Sequence, residues 1–347
     1  MSEQSAVNQQ DVARKAGVSR SVVSYVLNNG PRKVSEATRQ RVLEAIEELG
    51  YRPNEHAQRL KQGSDAVQNA IGIVTGGAGY NLLERPYYNI VLSALYEYAY
   101  ENRQQISFIA YWDALKDPIF FNKHIHTQEI SSLIVILPSL IPDTDEDHRL
   151  MEEIIARIPY IVSLEESIRD IPAVVFDRAQ AARTVMEHLI GLGHERITFI
   201  AINDQRLTGY KQALLEHDLP YDPALVNFLA PSPAPVQSAY QIITELIESR
   251  AHFSAVFAAT DEAAIGAIAA LKDHGLSVPE DVAVASIDDI EMASMVRPAL
   301  TTIHVPKRML ARLAIQSLQT QRFDEQKQVA IMVPAELIVR ESCGGLR

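Results

Sequence analysis

The sequence predicts an N-terminal all-α domain of the helix-turn-helix class, followed by an α/β body that contains two doubly wound parallel sheets. Three observations predict this architecture. A glycine turn separates two short helical patterns near the N-terminus, and the later sequence alternates apolar strands with amphipathic helices in two successive arrays. The sign of the net charge also differs between these regions. A length of 347 residues suits two or three domains.

The helix-turn-helix is predicted for residues 9–30. The apolar positions of its first helix recur at helical spacing and are Val12, Ala13 and Ala16. Gly17 follows them, where a tight turn between helices needs a residue that tolerates positive φ. Ser19 is predicted to cap the second helix, because its hydroxyl accepts from the free backbone N–H groups there. The second helix of such a motif enters the major groove of DNA.

The second helix is predicted to turn its apolar residues inwards and its polar residues towards DNA. The inward face comprises Val22, Val23, Val26 and Leu27. Arg20, Ser21 and Tyr25 remain outside, with Ser21 and Tyr25 four positions apart on one face. The full set of DNA contacts predicted for this region is Ser19, Arg20, Ser21, Ser24, Tyr25, Asn28 and Arg32.

A third helix is predicted to cover the first two. It begins at Ser35 or next to Lys33, and it ends at Gly50. Its positions at helical spacing are Val34, Thr38, Val42, Ala45, Ile46 and Leu49. These residues complete the core that two short helices are too poor in apolar bulk to form alone.

The two regions differ in charge. Residues 1–62 hold ten Lys or Arg against seven Asp or Glu, a net charge of +3, whereas the whole chain carries −12 and the remainder therefore −15. A basic head on an acidic body attracts phosphate at one end and repels it elsewhere. A solvated charged bundle is the alternative, but it does not account for the helix-turn-helix pattern.

The body is predicted from residue 69 onwards. Its strands are predicted at 71–74, 106–109, 133–137 and 160–162, and then at 173–176, 197–201, 255–258 and 282–287. Its helices are predicted at 88–100, 150–157, 178–192, 209–217, 238–249 and 263–274. Two such arrays predict two doubly wound sheets that face each other across a cleft.

Several classes of protein are excluded. No apolar run spans a bilayer and no signal-peptide core is present, so we expect a cytoplasmic protein. One cysteine, Cys343, excludes an internal disulfide framework. His124 and His126 lack a carboxylate at ligand spacing and are predicted to be a surface pair. The glycines after the first strand lack the spacing of a phosphate loop, and Glu165-Glu166 is predicted to be an ordinary charged pair. We expect no metal, cofactor or catalytic centre.

Segments along nearly the whole chain resemble the lactose-repressor and purine-repressor (LacI/GalR) family of bacterial transcriptional regulators. The N-terminal segments are DVARKAGVSRSVVSYVLN and VSEATRQRVLEAIEELGYRPNEHAQRL. The body contributes HLIGLGHERITFIA, VPEDVAVASIDD, LTTIHVP and PAELIVRES. The resemblance implies a periplasmic-binding-protein-like body of two lobes. It also implies that a homodimer binds operator DNA and that a small molecule controls this binding.

The resemblance implies a division into a DNA-binding domain (1–53), a hinge helix and linker (54–65) and an effector-binding and dimerisation domain (66–347). Lobe one takes about 66–175 and 305–331, and lobe two about 176–304 and 332–347. Tyr51 to Asn54 resemble the linker before the hinge helix, whose DNA contacts would be Asn54, Ala57 and Leu60. Leu60 matches the family's minor-groove wedge, although it could instead cap the core of the body.

The resemblance also implies an effector site. Tyr87 and Tyr88 match the aromatic segment that opens the helix after the first strand. Arg206 matches an arginine that hydrogen-bonds the effector, and Asp288 matches an acidic residue that accepts from hydroxyls or amines of the ligand. Asp261 follows Thr260 where the family usually has Asn-Asp, and it is a further candidate for binding the effector. The aromatics could instead pack, and the two aspartates could cap helices.

Several positions depart from the family pattern, among them Asp177-Arg178 in place of a common Asp-Asn and Ser286 in place of glycine, and two further ones bear on the predicted sites. Tyr25 replaces a common arginine of the second helix, and Arg85 replaces an asparagine before the aromatic segment. Tyrosine cannot make the bidentate contact of arginine with guanine, so the preferred half-site is expected to differ from the common one.

The function predicted from these features is sequence-specific regulation of transcription, as a repressor controlled by a small molecule, with a sugar as the expected class. A repressor that needs a corepressor, or an activator, answering to a purine or another metabolite is the alternative. A transporter's solute-binding protein shares the body, but it predicts an export signal and no DNA-binding head. The chain ends soon after the family's final motif without a heptad tail, so a homodimer on palindromic operator DNA is expected.

Overall fold

The computed structural model describes residues 7–28, 34–51, 69–77, 82–229, 234–321 and 330–345. Three helices come first: α1 (Gln9–Ala16), α2 (Arg20–Asn28) and α3 (Glu36–Leu49). The later helices are α4 (Pro86–Glu101), α5 (Pro118–His124), α6 (Asp145–Arg157), α7 (Arg178–Gly191), α8 (Gln205–Glu216), α9 (Pro235–Glu248), α10 (Asp261–Asp273), α11 (Glu291–Met295) and α12 (Lys307–Thr320).

Twelve strands lie among these described residues. They are β1 (Ala70–Thr75), β2 (Gln105–Tyr111), β3 (Ser132–Ile136), β4 (Tyr160–Leu164), β5 (Ala173–Phe176), β6 (Ile197–Ala201), β7 (Val226–Phe228), β8 (Ala255–Ala258), β9 (Ala283–Asp288), β10 (Thr301–His304), β11 (Ala330–Val333) and β12 (Glu336–Ile338). The three N-terminal helices and the alternation that follows them confirm the predicted fold class.

The three N-terminal helices share one small apolar core. Its buried members are Val12, Ala13, Ala16, Val23, Val26, Val42, Ala45, Ile46 and Tyr51. Gly17 and Gly50 have φ values of 65° and 57°, so both predicted glycine turns are confirmed. Two expectations are wrong. Val22 is half-buried and is not among the residues of this core, whereas the half-buried Leu27 packs against it. Tyr51, assigned to the linker, is 1% exposed, because the turn at Gly50 returns its N–H to the Ile46 carbonyl at 3.0 Å.

Two six-stranded sheets form the body. Their strand orders are β11-β5-β4-β3-β1-β2 and β12-β10-β9-β8-β6-β7. In the registers described, neighbouring strands run parallel, except that β12 is antiparallel to β10. In the second sheet β6 pairs with β7 on one side and with β8 on the other. The strand order therefore reverses at β6, and ligands of open α/β sheets bind outside the carboxyl ends of the strands at such a point.

Some body elements differ from the sequence predictions. The strand at 106–109 was expected to be buried, but β2 is the edge of its sheet and Ile109 is 49% exposed. The short strands β7, β10, β11 and β12 and the helices α5, α11 and α12 were not predicted. The equally short strands β5 and β8 are continuous buried apolar runs, whereas the missed strands carry polar residues or exposed positions and show no such run.

The described residues form two compact units, each with its own core. The first unit takes residues within 1–78, 95–173 and 314–329, and the second takes those within 79–94, 174–313 and 330–347. In the second unit α9 and α10 pack so closely that a Cβ at Gly266 would lie 2.1 Å from the Val236 carbonyl oxygen. Only glycine allows that approach. Among the described residues, no helix is both long and apolar enough to cross a membrane.

Candidate functional site

The N-terminus of α1 is fixed by a capping box. The Asn8 side chain accepts from the Gln10 and Asp11 N–H groups at 2.8 and 3.3 Å, and the Asp11 carboxylate accepts from the Asn8 N–H at 3.0 Å. Such reciprocal bonds satisfy the free donors of a helix end and set where the helix begins. Gln9 is therefore held as the first residue of α1.

The predicted cap of α2 is confirmed. The Ser19 hydroxyl accepts from the Val22 N–H at 3.4 Å, so Arg20 becomes the first residue of the helix. Arg20 and Ser21 are exposed, whereas Ser24 and Tyr25 are half-buried. The Arg20 Nε donates to Oε1 of Gln9 at 3.3 Å. The N-terminal residues of a recognition helix are those that contact base edges, and α2 presents its exposed polar residues there.

The structure does not describe the side chains of five further residues that were predicted to contact DNA. Asn28 is the last residue of α2, but only its backbone is described. Arg32 and the three residues of the predicted hinge, Asn54, Ala57 and Leu60, lie outside the described residues. Their roles stay predictions.

Arg206 lies at the point where the strand order of the second sheet reverses. Its Nη1 donates to the carbonyl oxygen of Ala259, directly after β8, at 2.7 Å. Its Nε and Nη2 donate to the carboxylate of Asp204, three residues after β6, at 2.6–3.1 Å. Arg206 thereby joins the carboxyl ends of β6 and β8.

Asp204 is a functional candidate that the sequence analysis missed. It caps α8 through the Arg206 N–H at 2.9 Å, and its carboxylate also lies 3.7 Å from Nε of Arg178. Burial raises the pKa of Asp204, but the charges of Arg206 and Arg178 outweigh it and the net shift is downwards. The carboxylate is therefore ionised at neutral pH, beside two guanidinium groups. An isolated Asp two residues before an arginine gives no signal in the sequence beyond its capping position.

The side chain of Asp261 holds neighbouring elements of the fold together. It is fully buried, and its carboxylate accepts from the hydroxyls of Ser286 and Thr302, each at 2.6 Å, and from the Ile290 N–H at 2.7 Å. These bonds join the start of α10 to β9 and β10. We therefore leave Asp261 out of the proposed effector site.

The environment of Asp261 makes the stability of the protein depend on pH. Burial raises its pKa from 3.8 to about 6, against the opposing effect of its hydrogen bonds. A carboxyl with a raised folded-state pKa contributes stability below its unfolded pKa, and this contribution is lost as pH rises through the folded one. From about pH 4 to pH 7 we expect this group to lower the free energy of unfolding by about 3 kcal/mol.

The comparison variant is Asp261→Asn, which does not titrate. Urea denaturation at several pH values is expected to show a decline for the wild type over this range that the variant lacks. Parallel stability curves for the two proteins would contradict the assignment. Groups with lowered pKa values, such as Asp204 and His194, also change the stability within this range, but they do so equally in both proteins and cancel in the difference between wild type and variant.

Asp288 and Asp289 have an unusual backbone. Their φ values are 133° and 53°, in the region that favours glycine. The ammonium group of Lys307 accounts for this geometry, because it donates to the carbonyl oxygens of Asp288, Asp289 and Val305. Lys307 is 5% exposed, and a buried ammonium group needs such acceptors.

Lys307 also connects two of the predicted effector residues. Its Nζ lies 5.3 Å from the ring centroid of Tyr87, within the range of a cation–π contact, while it holds the Asp288 carbonyl. The Tyr87 and Tyr88 rings meet edge to face at 5.0 Å, and both are buried. Pro86 begins α4 as the family resemblance implies. The predicted residues Tyr87, Tyr88 and Asp288 thus come together around a lysine that the sequence analysis did not select.

The departure at Arg85 has a partner. The Arg85 Nε donates to Oε2 of Glu262 in the first turn of α10 at 2.8 Å, and both side chains are buried. The positive charge that Arg85 introduces is thereby paired with the negative charge of Glu262, which lies 177 positions later in the chain. Sequence spacing carries no signal for such a pair.

Two minor predictions are wrong. His126 is buried, and its Nδ1 accepts from the Gln128 N–H at 3.2 Å, while the His124 ring packs at a tilt against Phe120 with centroids 4.3 Å apart, so the two histidines do not form a surface pair. Glu165 is buried with φ 75°, and Glu166 accepts from the Ser139 N–H at 3.0 Å, so they are not an ordinary charged pair. Among the described residues, no group of three metal-ligating side chains lies together.

Known proteins match the chain over both regions. Residues 9–54 match the model of bacterial regulatory proteins of the lacI family, and residues 186–343 match that of a periplasmic binding protein-like domain. The HTH-type transcriptional regulator GalR of Salmonella typhimurium (strain SL1344) is 32% identical over 311 residues, which cover 85% of this chain and 84% of that protein.

Solved structures agree with this match. The transcriptional regulator CelR in complex with cellobiose has a TM-score of 0.69 and 26% identity, over 97% of this chain and 99% of that one. The lac repressor dimer bound to operator and the anti-inducer ONPF has a TM-score of 0.68 and 25% identity, with the same coverage.

Proposed function

The chain belongs to the LacI family of bacterial regulatory proteins, and we propose that it is a repressor whose affinity for operator DNA is controlled by a carbohydrate. It is a DNA-binding transcriptional regulator. The observation that carries this function is α2, whose capped first residue, Arg20, is exposed beside Ser21. In the proposal this helix enters the major groove of DNA. The protein would act in the cytoplasm, where bacterial DNA lies.

The effector site is proposed at the carboxyl ends of the second sheet. Asp204 and Arg206 offer an acceptor and donors side by side, which suits a hydroxyl group because a hydroxyl both donates and accepts. Tyr87 and Tyr88, which are largely buried, would line this site with the small part of their rings that is exposed, and Asp288 would be a further acceptor. That CelR was solved with cellobiose supports a carbohydrate as the class. No catalytic role is proposed for these residues.

The proposed assembly is a homodimer on palindromic DNA. The lac repressor structure, an operator-bound dimer, supports it. Two-fold symmetry places one α2 in each of two half-sites. The division into domains at 1–53, 54–65 and 66–347, with its two lobes, is part of this proposal. Residues 54–65 would form a hinge helix in the minor groove, where Leu60 would separate two base pairs.

Selection of bound sequences from random duplex DNA tests the function. The purified full chain is used at two salt concentrations, and the selection is repeated with galactose, maltose or cellobiose, and with purines. We expect a palindromic site with a fixed centre, released by one of the sugars. Binding without sequence preference in every condition would contradict the DNA-binding assignment. Release by a purine alone, or tighter binding with a sugar, would contradict the proposed effector class or its sign.

Arg20→Ala is expected to relax base preference at one position of each half-site. Loss of one bidentate contact costs about 1–3 kcal/mol of discrimination against the wrong base. The measurement is the affinity for operators substituted at single positions. Arg14→Ala is the control, because Arg14 is an exposed arginine of α1, 3.9 Å from Asp11. It is expected to change all affinities alike. An unaltered preference in Arg20→Ala would remove Arg20 from base recognition.

A further inference from the structure

We infer that Gln9 is a positioning residue for DNA recognition, because it holds the guanidinium group of Arg20 in one orientation before DNA binds. The observation is the hydrogen bond from Nε of Arg20 to Oε1 of Gln9, which links α1 to α2 at 3.3 Å. The inference rests on the base contact proposed for Arg20. It assigns a role in specificity to a residue of the first helix.

The backbone on both sides of this hydrogen bond is fixed. Gln9 and Arg20 are each the first residue of a helix, and each follows a capping side chain, Asn8 in one case and Ser19 in the other. The left-handed turn at Gly17 connects the two helices. Only side-chain torsions of Gln9 and Arg20 are therefore left to vary between the two helix ends, and their hydrogen bond restricts these.

The contact selects one of the two ways in which arginine recognises a base. A guanidinium group offers one pair of donors from Nε and one Nη, and another pair from its two Nη atoms. Because Gln9 occupies Nε, the pair at Nη1 and Nη2 is left to donate to O6 and N7 of guanine. Restricting a long side chain beforehand also reduces the conformational entropy that is lost on binding.

The amide of Gln9 suits this position for an electrostatic reason. Its oxygen accepts from Arg20 without a negative charge, so it does not repel the phosphates that surround a helix in the major groove. A carboxylate would keep the hydrogen bond but oppose DNA binding in general. An apolar side chain of the same length would remove the hydrogen bond alone.

These differences define the experiment, which uses the purified full chain and operators substituted at the position that Arg20→Ala identifies. Gln9→Met is expected to lower the preference for guanine at that position about fivefold, the worth of one ordinary hydrogen bond. Affinity for random DNA, its dependence on salt and the melting temperature are expected to stay unchanged. Gln9→Glu is expected to keep the preference for guanine and to lower the affinity for every sequence.

Two comparisons separate positioning from direct contact. In an Arg20→Ala background Gln9→Met is expected to have no further effect, because a positioning residue acts only through its partner. Gln40→Met is the matched control, since Gln40 is exposed on α3 and donates to Glu44 within the same helix. Unchanged preference in Gln9→Met, or an equal effect with and without Arg20, would overturn the inference. If Arg20→Ala itself alters no preference, the proposed base contact fails as well.

Discussion

Replacing Arg206 with methionine is expected to abolish the response to the effector and to leave operator preference unchanged. The guanidinium group makes hydrogen bonds to Asp204 and to the Ala259 carbonyl, and its loss leaves the largely buried Asp204 carboxylate without its closest cation. Breaking a buried ion pair costs about 3–5 kcal/mol of stability. The helices that contact DNA share none of these contacts. Urea denaturation and operator release by the sugar that the selection identifies are the two measurements.

The control for Arg206→Met is Arg183→Met on the neighbouring helix α7. Arg183 pairs with Glu187 and Glu216 at 2.8 and 3.0 Å, but its side chain is one-third exposed. Exposed pairs contribute about 0–1 kcal/mol, so this variant is expected to retain its stability and its response.

A double variant, Asp204→Asn with Arg206→Met, separates stability from effector binding. It removes both charges of the pair, so it is expected to regain stability without regaining the response. A full effector response in Arg206→Met would remove Arg206 from the site. Equal losses of stability in Arg206→Met and Arg183→Met would contradict the importance assigned to burial.

The DNA-binding head was largely predictable because its determinants are local. A helical period, a glycine at each turn and a serine before each helix specify α2 and α3 within a few residues, and the structure shows each of these features. Tyr51 was misassigned for a non-local reason. Its burial depends on three helices that together form a pocket, which no periodicity of the surrounding residues records.

The body was predictable where its strands are long and buried. The strands β1, β3, β6 and β8 carry continuous apolar runs, whereas β2 is an edge strand with a mixed pattern of exposure. Sequence alone cannot tell an edge from a centre, because a strand's position in the sheet depends on its pairing partners.

The proposed effector site was predictable only in part. A family resemblance selected Tyr87, Arg206 and Asp288, but the side chains that hold them come from remote segments. Lys307 lies 19 positions after Asp288, and its role depends on three carbonyl oxygens that converge on one ammonium group. Backbone acceptors carry no residue-type signal, so the sequence gives no indication of such a site. Asp261 shows the converse, since a residue that resembles a ligand position forms hydrogen bonds within the fold.

The first unit offers an independent test of how a buried charge is stabilised. Asp147 is buried, and its carboxylate accepts from the Trp112 indole at 2.6 Å and the Thr144 hydroxyl at 2.5 Å and pairs with Lys116 at 2.9 Å. Asp147→Ala is expected to lower the free energy of unfolding by about 3 kcal/mol, because buried donors lose their acceptor. Since Trp112 is the only tryptophan in the chain, its fluorescence reports this change directly.

The matched control is Asp113→Ala. Asp113 pairs with the same lysine at 3.5 Å but is half exposed, so its loss is expected to cost less than about 0.5 kcal/mol.

The pH dependence of the stability gives a second test of Asp147. Burial raises the pKa of Asp147, but bonds from Thr144, Lys116 and Trp112 outweigh it and lower the pKa overall. The stabilisation is therefore complete above the unfolded value of 3.8 and is lost as pH falls through the lower folded value. A tryptophan signal that changes equally in both variants would contradict this role of Asp147.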